Sequence, residues 1–182
     1  MNATRRALLA SLLIALTVAG GYALAGVPNI EVVTLLAFTS GYLLGPRLGA
    51  LVGGVAMGAH SLFNVMGAAI PPVLAAQVVC YALVGAAGGV VGPLIVRLGG
   101  VVSALAAGAT GAVLVIVYQV TVGVVSFYTF TSESMLWAYL WGGVAFATVQ
   151  IVWNAALFLV TLRPMLSVLR RYRAELRERW DS

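Results

Sequence analysis

The sequence predicts an all-α, polytopic membrane protein whose six helices form one compact bundle. Composition is the first reason: 62% of the 182 residues are hydrophobic and 8% are charged, and a soluble domain of this size cannot bury so much apolar surface. Charge spacing is the second reason. No acidic or basic residue except His60 separates Arg47 from Arg97, Arg97 from Glu133, or Glu133 from Arg163. These runs reach the roughly 20 residues of a spanning helix. They lack the alternation of barrel strands, so helices are expected.

Six segments are expected to cross the membrane, at about residues 7–26, 31–45, 48–67, 73–95, 101–125 and 135–162. The second would be only about 22 Å long, so its neighbours must shield it or the bilayer must thin. Gly45-Pro46-Arg47 is predicted to form a sharp turn, Ser126–Ser134 a polar loop, and Arg163-Pro164 the end of the sixth helix. The whole chain is expected to be one domain, with residues 163–182 as a basic tail.

The first segment has paired arginines before it and Ala23-Leu24-Ala25 near its end, which resembles a secretory signal with its cleavage site. Its hydrophobic part is longer than that of such signals, and further spans follow. We therefore expect residues 7–26 to remain as the first helix.

The basic residues predict the topology. The chain has no lysine, and with six spans every arginine falls on one side, while Glu31 and Glu133 fall on the other. The positive-inside rule then places both termini in the cytoplasm and the protein in the inner (plasma) membrane. The arginines are Arg5, Arg6, Arg47, Arg97, Arg163, Arg170, Arg171, Arg173, Arg177 and Arg179. Because the membrane topology accounts for the positions of these arginines, the net positive charge does not indicate nucleic-acid binding.

The tail from Met165 to Trp180 mixes arginines with Leu, Tyr and Trp. One interpretation is a solvated or interfacial helix near acidic lipid, which we favour. The other is a docking segment for a cytoplasmic partner.

Small residues recur every fourth position along the first helix, at Ala3, Ala7, Ser11, Ala15, Ala19 and Ala23. Such rows allow another helix to approach closely, because helix association in lipid depends on packing. The partner could be a second protein or another helix of the same bundle.

Polar residues within the spans are the candidate binding residues. On the third helix, His60 and Asn64 share a narrow sector with Gly49, Gly53, Ala56 and Gly67. Polar groups in a membrane normally face the bundle interior or a cavity, although they also form interhelical hydrogen bonds. Most lie at the same depth, so as a set they predict a pocket on the arginine-free side. The candidates are Asn29, Glu31, His60, Asn64, Gln77, Tyr81, Tyr118, Gln119, Tyr128, Glu133 and Tyr139.

Some neighbouring residues are left out of this set. Gln150 and Asn154 align with Tyr139 on the sixth helix, whereas Trp137 and Trp141 point to its other side and are interpreted as interfacial tryptophans.

Catalytic chemistry is sparse. The predicted spans contain no carboxylate beyond Glu31 at the edge of the second, and His60-Ser61 are sequence neighbours that diverge by about 100° on a helix, a poor nucleophile–base pair. There is no metal-spaced cluster around the single Cys80 and no Walker A motif. The sequence thus predicts a non-enzymatic binding bundle without metal or cofactor, which depends on a partner for energy.

Two stretches resemble the substrate-binding S component of energy-coupling factor (ECF) vitamin transporters. They are Pro28–Leu36 with Ser40–Gly53, and Asn64-x-x-Gly67 followed by Pro71–Gln77. The resemblance implies a six-helix subunit that captures a vitamin or related micronutrient outside the cell. It also implies a coupling transmembrane subunit and two ATPase subunits as partners, which use the ATP.

The same resemblance implies that an Ala-x-x-x-Ala motif on the first helix contacts the coupling subunit. Ala15-x-x-x-Ala19, preceded by Ser11, matches this motif, and so do Ala3/Ala7 and Ala19/Ala23.

The charged residues on the predicted outer side limit which ligand charges are expected. The predicted outer side carries Glu31 and Glu133 but no arginine or lysine, so a strongly anionic ligand would meet no opposite charge. Neutral or cationic ring-containing compounds are expected, such as those like thiamine, pyridoxine, flavin or corrinoid.

Two other classes of function fit the size and span number. A membrane scaffold of the MreD cell-shape type would not require an outer polar pocket. A self-associating small channel or lipid-handling protein would use the small-residue row for contacts between identical chains.

Overall fold

In the computed structural model, the structure describes residues 3–64, 67–130, 135–170 and 172. This part of the chain is all-helical, as predicted. Its α-helices are α1 (Ala3–Ala23), α2 (Val33–Leu44), α3 (Pro46–Leu62), α4 (Pro71–Arg97), α5 (Gly100–Phe130) and α6 (Leu136–Leu157).

Four stretches are long and apolar enough to cross a membrane: Thr4–Ala23, Pro71–Arg97, Gly100–Phe130 and Trp141–Arg170. With 12 and 17 residues, α2 and α3 are shorter. The length and composition of these four helical stretches are thus those of a helical membrane protein.

Helix α2 occupies the centre of the bundle. All of its residues except Leu36 are buried, and α1, α3 and α4 pack around it. Tyr42 and Phe38 are among the largest fully buried side chains. The neighbouring helices therefore shield this short helix, which is the first of the two solutions expected for its length.

Backbone contacts join α2, α3 and α4 where three glycines meet. A methyl group at Gly41 would overlap the carbonyl oxygen of Gly85, and one at Gly85 would overlap the carbonyl oxygen of Gly49. Gly49 in turn lies against the Cα of Gly41. Only glycine permits this approach, so the three helices pack as one tight unit.

The connection between α2 and α3 is tighter than the predicted three-residue turn. Gly45 alone reverses the chain with φ of 88°, and α3 begins at Pro46. Proline is favoured at the first helical position because its missing N–H would have no partner there.

Helix α3 ends earlier than predicted. It stops at Leu62, and the chain folds back so that the Ala69 N–H donates to the Ser61 carbonyl at 3.0 Å. Asn64 and Gly67 therefore lie in the connection to α4, and Gly67 has φ of 110°. The prediction that both share a helical face with His60 was wrong, because the fold-back interrupts the helical period.

Helix α1 packs on α2 and α3 through one face only. Ala10, Thr17 and Gly21 are buried on that face. The row of small residues faces away from the bundle: its exposed members within the described side chains are Ala7, Ser11, Ala15, Ala19 and Ala23. Packing inside this chain therefore does not account for the row.

Helix α5 is longer than predicted. Its 31 residues extend about 46 Å, against about 30 Å for a hydrocarbon core. Residues 126–130, expected in a loop, form its last turn. Nothing lies within 4 Å of a methyl group placed at Gly123, Gly142 or Gly143. A methyl group would thus fit at these three positions without touching any of the described residues.

The sixth helical segment does not end at Arg163-Pro164 as predicted. A π-helical turn, Phe158–Leu162, follows α6, and helical structure continues through residues 163–170. The ring of Pro164 would clash with the carbonyl of Val160 in a regular α-helix. The wider π turn contains that carbonyl and lets the helix pass the proline.

Candidate functional site

The candidate site begins where the chain enters α2, with Glu31 just before its first turn. One carboxylate oxygen accepts a hydrogen bond from the Thr34 backbone N–H at 2.9 Å, and the other accepts from the Thr34 hydroxyl at 2.6 Å. The first N–H groups of a helix have no partner within it, and a carboxylate is favourable there. Glu31 therefore caps α2, and its carboxylate is held in a fixed position.

From Thr34 the hydrogen bonds continue to α4 and α5. The Thr34 hydroxyl lies 3.1 Å from the Tyr81 hydroxyl. The rings of Tyr81 and Tyr118 meet edge-to-face, with centroids 5.5 Å apart. Gln77 donates to the Tyr118 hydroxyl at 3.3 Å. These five residues, Glu31, Thr34, Gln77, Tyr81 and Tyr118, are called the Glu31 network below.

Trp153 links the Glu31 network to α6. Its indole N–H donates to the backbone carbonyl of Glu31 at 2.8 Å. Glu31 is thus fixed at two points: Thr34 holds its carboxylate, and Trp153 holds its backbone carbonyl.

A second polar cluster joins α5 to α6. Gln119 donates to the side-chain oxygen of Gln150, and Asn154 donates to the Gln150 backbone carbonyl at 3.1 Å. Asn154 is fully buried. Gln119 directly follows Tyr118 and Asn154 directly follows Trp153, so the two clusters adjoin along both helices.

His60 lies on the other side of α2, between α3 and α1. Its ring packs against Tyr22 with centroids 5.1 Å apart, and Gly21 leaves room for it. The Tyr22 hydroxyl donates to the Phe63 carbonyl at 2.9 Å. Glu31 interacts electrostatically with His60, which places the histidine at the same end of the bundle.

The Glu31 network, the second polar cluster and His60 together form the polar layer of the bundle. Three buried side-chain atoms of this layer have no hydrogen-bond partner within the described residues: Nδ1 of His60, Oε1 of Gln77 and Oδ1 of Asn154. Asn154 is the clearest case, because its amide nitrogen already donates to a carbonyl and so its oxygen remains an acceptor. Leaving a buried polar atom unpaired costs about 1–3 kcal/mol. A donor from outside the chain would remove that cost.

The structure therefore brings together several of the residues predicted from sequence. Glu31, Gln77, Tyr81 and Tyr118 form one network, Gln119 belongs to the adjoining cluster, and His60 lies at the same end.

Other predicted residues stand apart. Asn29 lies in the turn before α2 with φ of 62°, and in the described part of the chain no hydrogen bond joins it to the network. Asn64 is half-buried in the connection after α3. Tyr128 is 76% exposed on the last turn of α5, not in a loop, and its ring contacts Phe127. Tyr139 donates to the Gly123 carbonyl at 3.3 Å. Glu133 lies outside the described residues.

Sequence reasoning missed Thr34 and Trp153 as site residues and did not select Gln150 and Asn154. The spacing Glu31-x-x-Thr34 before an apolar run was the available signal for the cap. Gln150 and Asn154 are one turn apart and were visible as a polar pair on an apolar helix. Trp153 offered no signal, because its partner is a backbone carbonyl on a distant segment.

In the part of the chain that the structure describes, no group of three or more His, Cys, Asp or Glu side chains lies together. Cys80 is buried and free. The arrangement contains hydroxyls, amides, one carboxylate and aromatic rings, which are groups suited to binding.

Comparison of the chain with protein-family models, with curated proteins and with solved structures finds no match in any of the three.

Proposed function

We propose that this protein is the membrane-embedded binding subunit of an uptake system for a vitamin or related small ring compound, neutral or cationic. The ligand binds at the end of the bundle that carries Glu31. A coupling transmembrane subunit and ATPase subunits of the ECF type supply the energy. The observation that carries the proposal is the Glu31 network, which draws side chains from α2, α4 and α5 to one place.

Structural hydrogen bonding alone is a poor explanation for this network. Interhelical hydrogen bonds in membranes contribute about 0.6 kcal/mol on average, whereas each unpaired buried acceptor costs about 1–3 kcal/mol. The unpaired oxygens of Gln77 and Asn154 thus offset what the amides contribute. A site that binds a ligand explains why both amides are present.

The outward-facing row on α1 supports a partner subunit. Small side chains on an exposed helix face allow close contact with another membrane helix, and Ser11, Ala15 and Ala19 are exposed together. A self-associating channel or an MreD-type scaffold would use the same row but would not require the Glu31 network. The network therefore separates these alternatives from the transport proposal.

The proposal is tested by purifying the protein from cells grown in rich medium and identifying retained small molecules by mass spectrometry. We expect one compound to be retained in near-stoichiometric amount. A double variant, Gln77→Leu with Tyr118→Phe, should lose it, whereas Trp141→Phe, which changes a side chain 71% exposed on α6, should retain it. Absence of any retained compound, together with no binding across a vitamin panel, would overturn the proposal.

A further inference from the structure

We infer that the ligand of the Glu31 network is an organic cation bearing N–H donors, with Glu31 as its counter-charge. This inference rests on the proposed function and selects one of the two charge classes that the function leaves open. Three observations carry it: the charge of Glu31, the remaining hydrogen-bonding capacity of its carboxylate, and the unpaired amide oxygens near it.

Within the described residues Glu31 faces no arginine, and His60, which interacts with it electrostatically, forms no ion pair with it. Glu31 is the one carboxylate in residues 3–64, 67–130, 135–170 and 172, and no ion pair involves it there. Arg47 and Arg97 lie at the other end of α3 and α4. A half-buried carboxylate among apolar helices is costly without an opposite charge. A cationic ligand supplies that charge, and a neutral ligand does not.

The carboxylate also has capacity for a ligand. Its two oxygens offer about four acceptor positions, and Thr34 uses two of them, one on each oxygen. Because Thr34 and Trp153 fix the residue, the carboxylate need not be ordered when a cation binds. Binding is therefore favoured by preorganisation.

The polar groups near Glu31 include amide oxygens that have no hydrogen-bond partner within the described residues. The Oδ1 atom of Asn154 is a fixed acceptor without a partner, and Gln77 and His60 each have one buried atom without a partner. Trp153 donates to a carbonyl, and one N–H of the Gln119 amide donates to Gln150, so neither of these bonds reaches the unpaired oxygens. A ligand that brings N–H groups pairs with these oxygens, whereas one that brings only acceptors leaves them unpaired.

The test uses three probes that share a benzyl or phenyl ring and differ in charge: benzylamine, benzyl alcohol and benzoate. Their binding to the protein in lipid nanodiscs is measured calorimetrically at neutral pH, with empty nanodiscs subtracted. We expect the wild-type protein to bind benzylamine about tenfold or more tightly than benzyl alcohol, and benzoate least.

Glu31→Gln is the decisive variant. The amide oxygen of glutamine can still accept from the Thr34 N–H, so the cap on α2 is kept while the charge is removed. We expect the preference for benzylamine to disappear and the unfolding temperature to stay close to that of the wild type. Glu31→Asp, which keeps the charge, should retain part of the preference.

Equal affinity for benzylamine and benzyl alcohol in the wild type would overturn the inference. So would a preference for benzylamine that survives in Glu31→Gln, or no benzylamine binding at millimolar concentration. If the compound retained from rich medium is neutral or anionic, the cation inference fails while the proposed function stands. If nothing is retained and nothing binds, both fail.

Discussion

Helices α2, α3 and α4 meet backbone to backbone at three glycines, whereas α5 and α6 add a pair of side-chain amides, near the end that carries Glu31, to their contacts at Gly108 and Gly111. In the first region, glycines remove every side chain from the contact, so the carbonyl oxygen of Gly85 lies where a methyl group of Gly41 would be. In the second, the Gln119 and Gln150 amides bond across the two helices, and Asn154, one turn further along α6, has a buried oxygen without a partner among the described residues.

This difference suggests that the glycine-packed region mainly stabilises the fold, whereas the amides of α5 and α6 mainly serve function. Close backbone packing leaves no unpaired polar atoms and no space, so the glycine-packed region is suited to hold the bundle together. Polar side chains with unpaired acceptors contribute little stability, so their presence requires another role. Substitutions in the two regions should therefore affect different measurements.

The largest effect is expected from Gly85→Ala in the glycine-packed region. The new methyl group overlaps the Gly49 carbonyl oxygen, and backbone cannot yield as a flexible side chain can. We expect a loss of about 3 kcal/mol of stability, at the upper end of the usual cost of overpacking, seen as a large fall in unfolding temperature in detergent. The matched control is Gly143→Ala, where nothing lies within 4 Å of the added methyl. A similar fall for Gly143→Ala would contradict the account.

Thr34→Val should produce the next largest effect. It removes the hydroxyl that joins Glu31 to Tyr81 and leaves the Tyr81 hydroxyl, in a fully buried ring, without that partner. The expected cost is about 1–3 kcal/mol, together with weaker ligand binding. Thr129→Val, whose hydroxyl bonds only its own helix at an exposed position, is the control. Unchanged unfolding and binding in Thr34→Val would show that the network is incidental.

A smaller effect is expected from Trp153→Phe. The variant keeps an aromatic ring but loses the indole N–H that bonds the Glu31 carbonyl. We expect a loss of about 1 kcal/mol and faster amide hydrogen exchange in the turn before α2. Trp141→Phe should change neither measurement. Equal exchange in the two variants would mean that Trp153 does not fix Glu31.

The smallest effect on the isolated protein is expected from Ala15→Leu. Its side chain is exposed on α1, so stability and ligand binding should stay as in the wild type. Assembly with a coupling subunit should be lost, because leucine prevents close helix contact. Co-purification of the complex measures this. An unfolded Ala15→Leu protein would show that the row packs within the chain after all.

Composition and charge spacing were sufficient to predict the helical class and the order of the helices. They failed at helix ends, where a few residues decide the outcome. Gly45 alone makes the turn before α3, and the π turn carries the last helical segment past Pro164. The sequence shows neither how many residues a turn uses nor whether a helix ends at a proline or continues past it through a π turn.

The candidate site was predictable only where polar residues interrupt apolar helices. Gln77, Tyr81, Tyr118 and Gln119 stand out for that reason, and each has a polar or aromatic partner on another helix. Trp153 could not be found in this way, because its contact to Glu31 crosses most of the sequence. Asn64 was predicted on α3 because the helix was expected to extend to residue 67, whereas it ends at Leu62.

The most direct test of the central claim, that the Glu31 network is a binding site, is native mass spectrometry of three proteins prepared identically. They are the wild type, Gly143→Ala, and the double variant Tyr81→Phe with Gln77→Leu. We predict a small-molecule adduct on the first two and none on the double variant, with all three folded. Equal adduct on all three proteins, or none on the folded wild type, would contradict the claim.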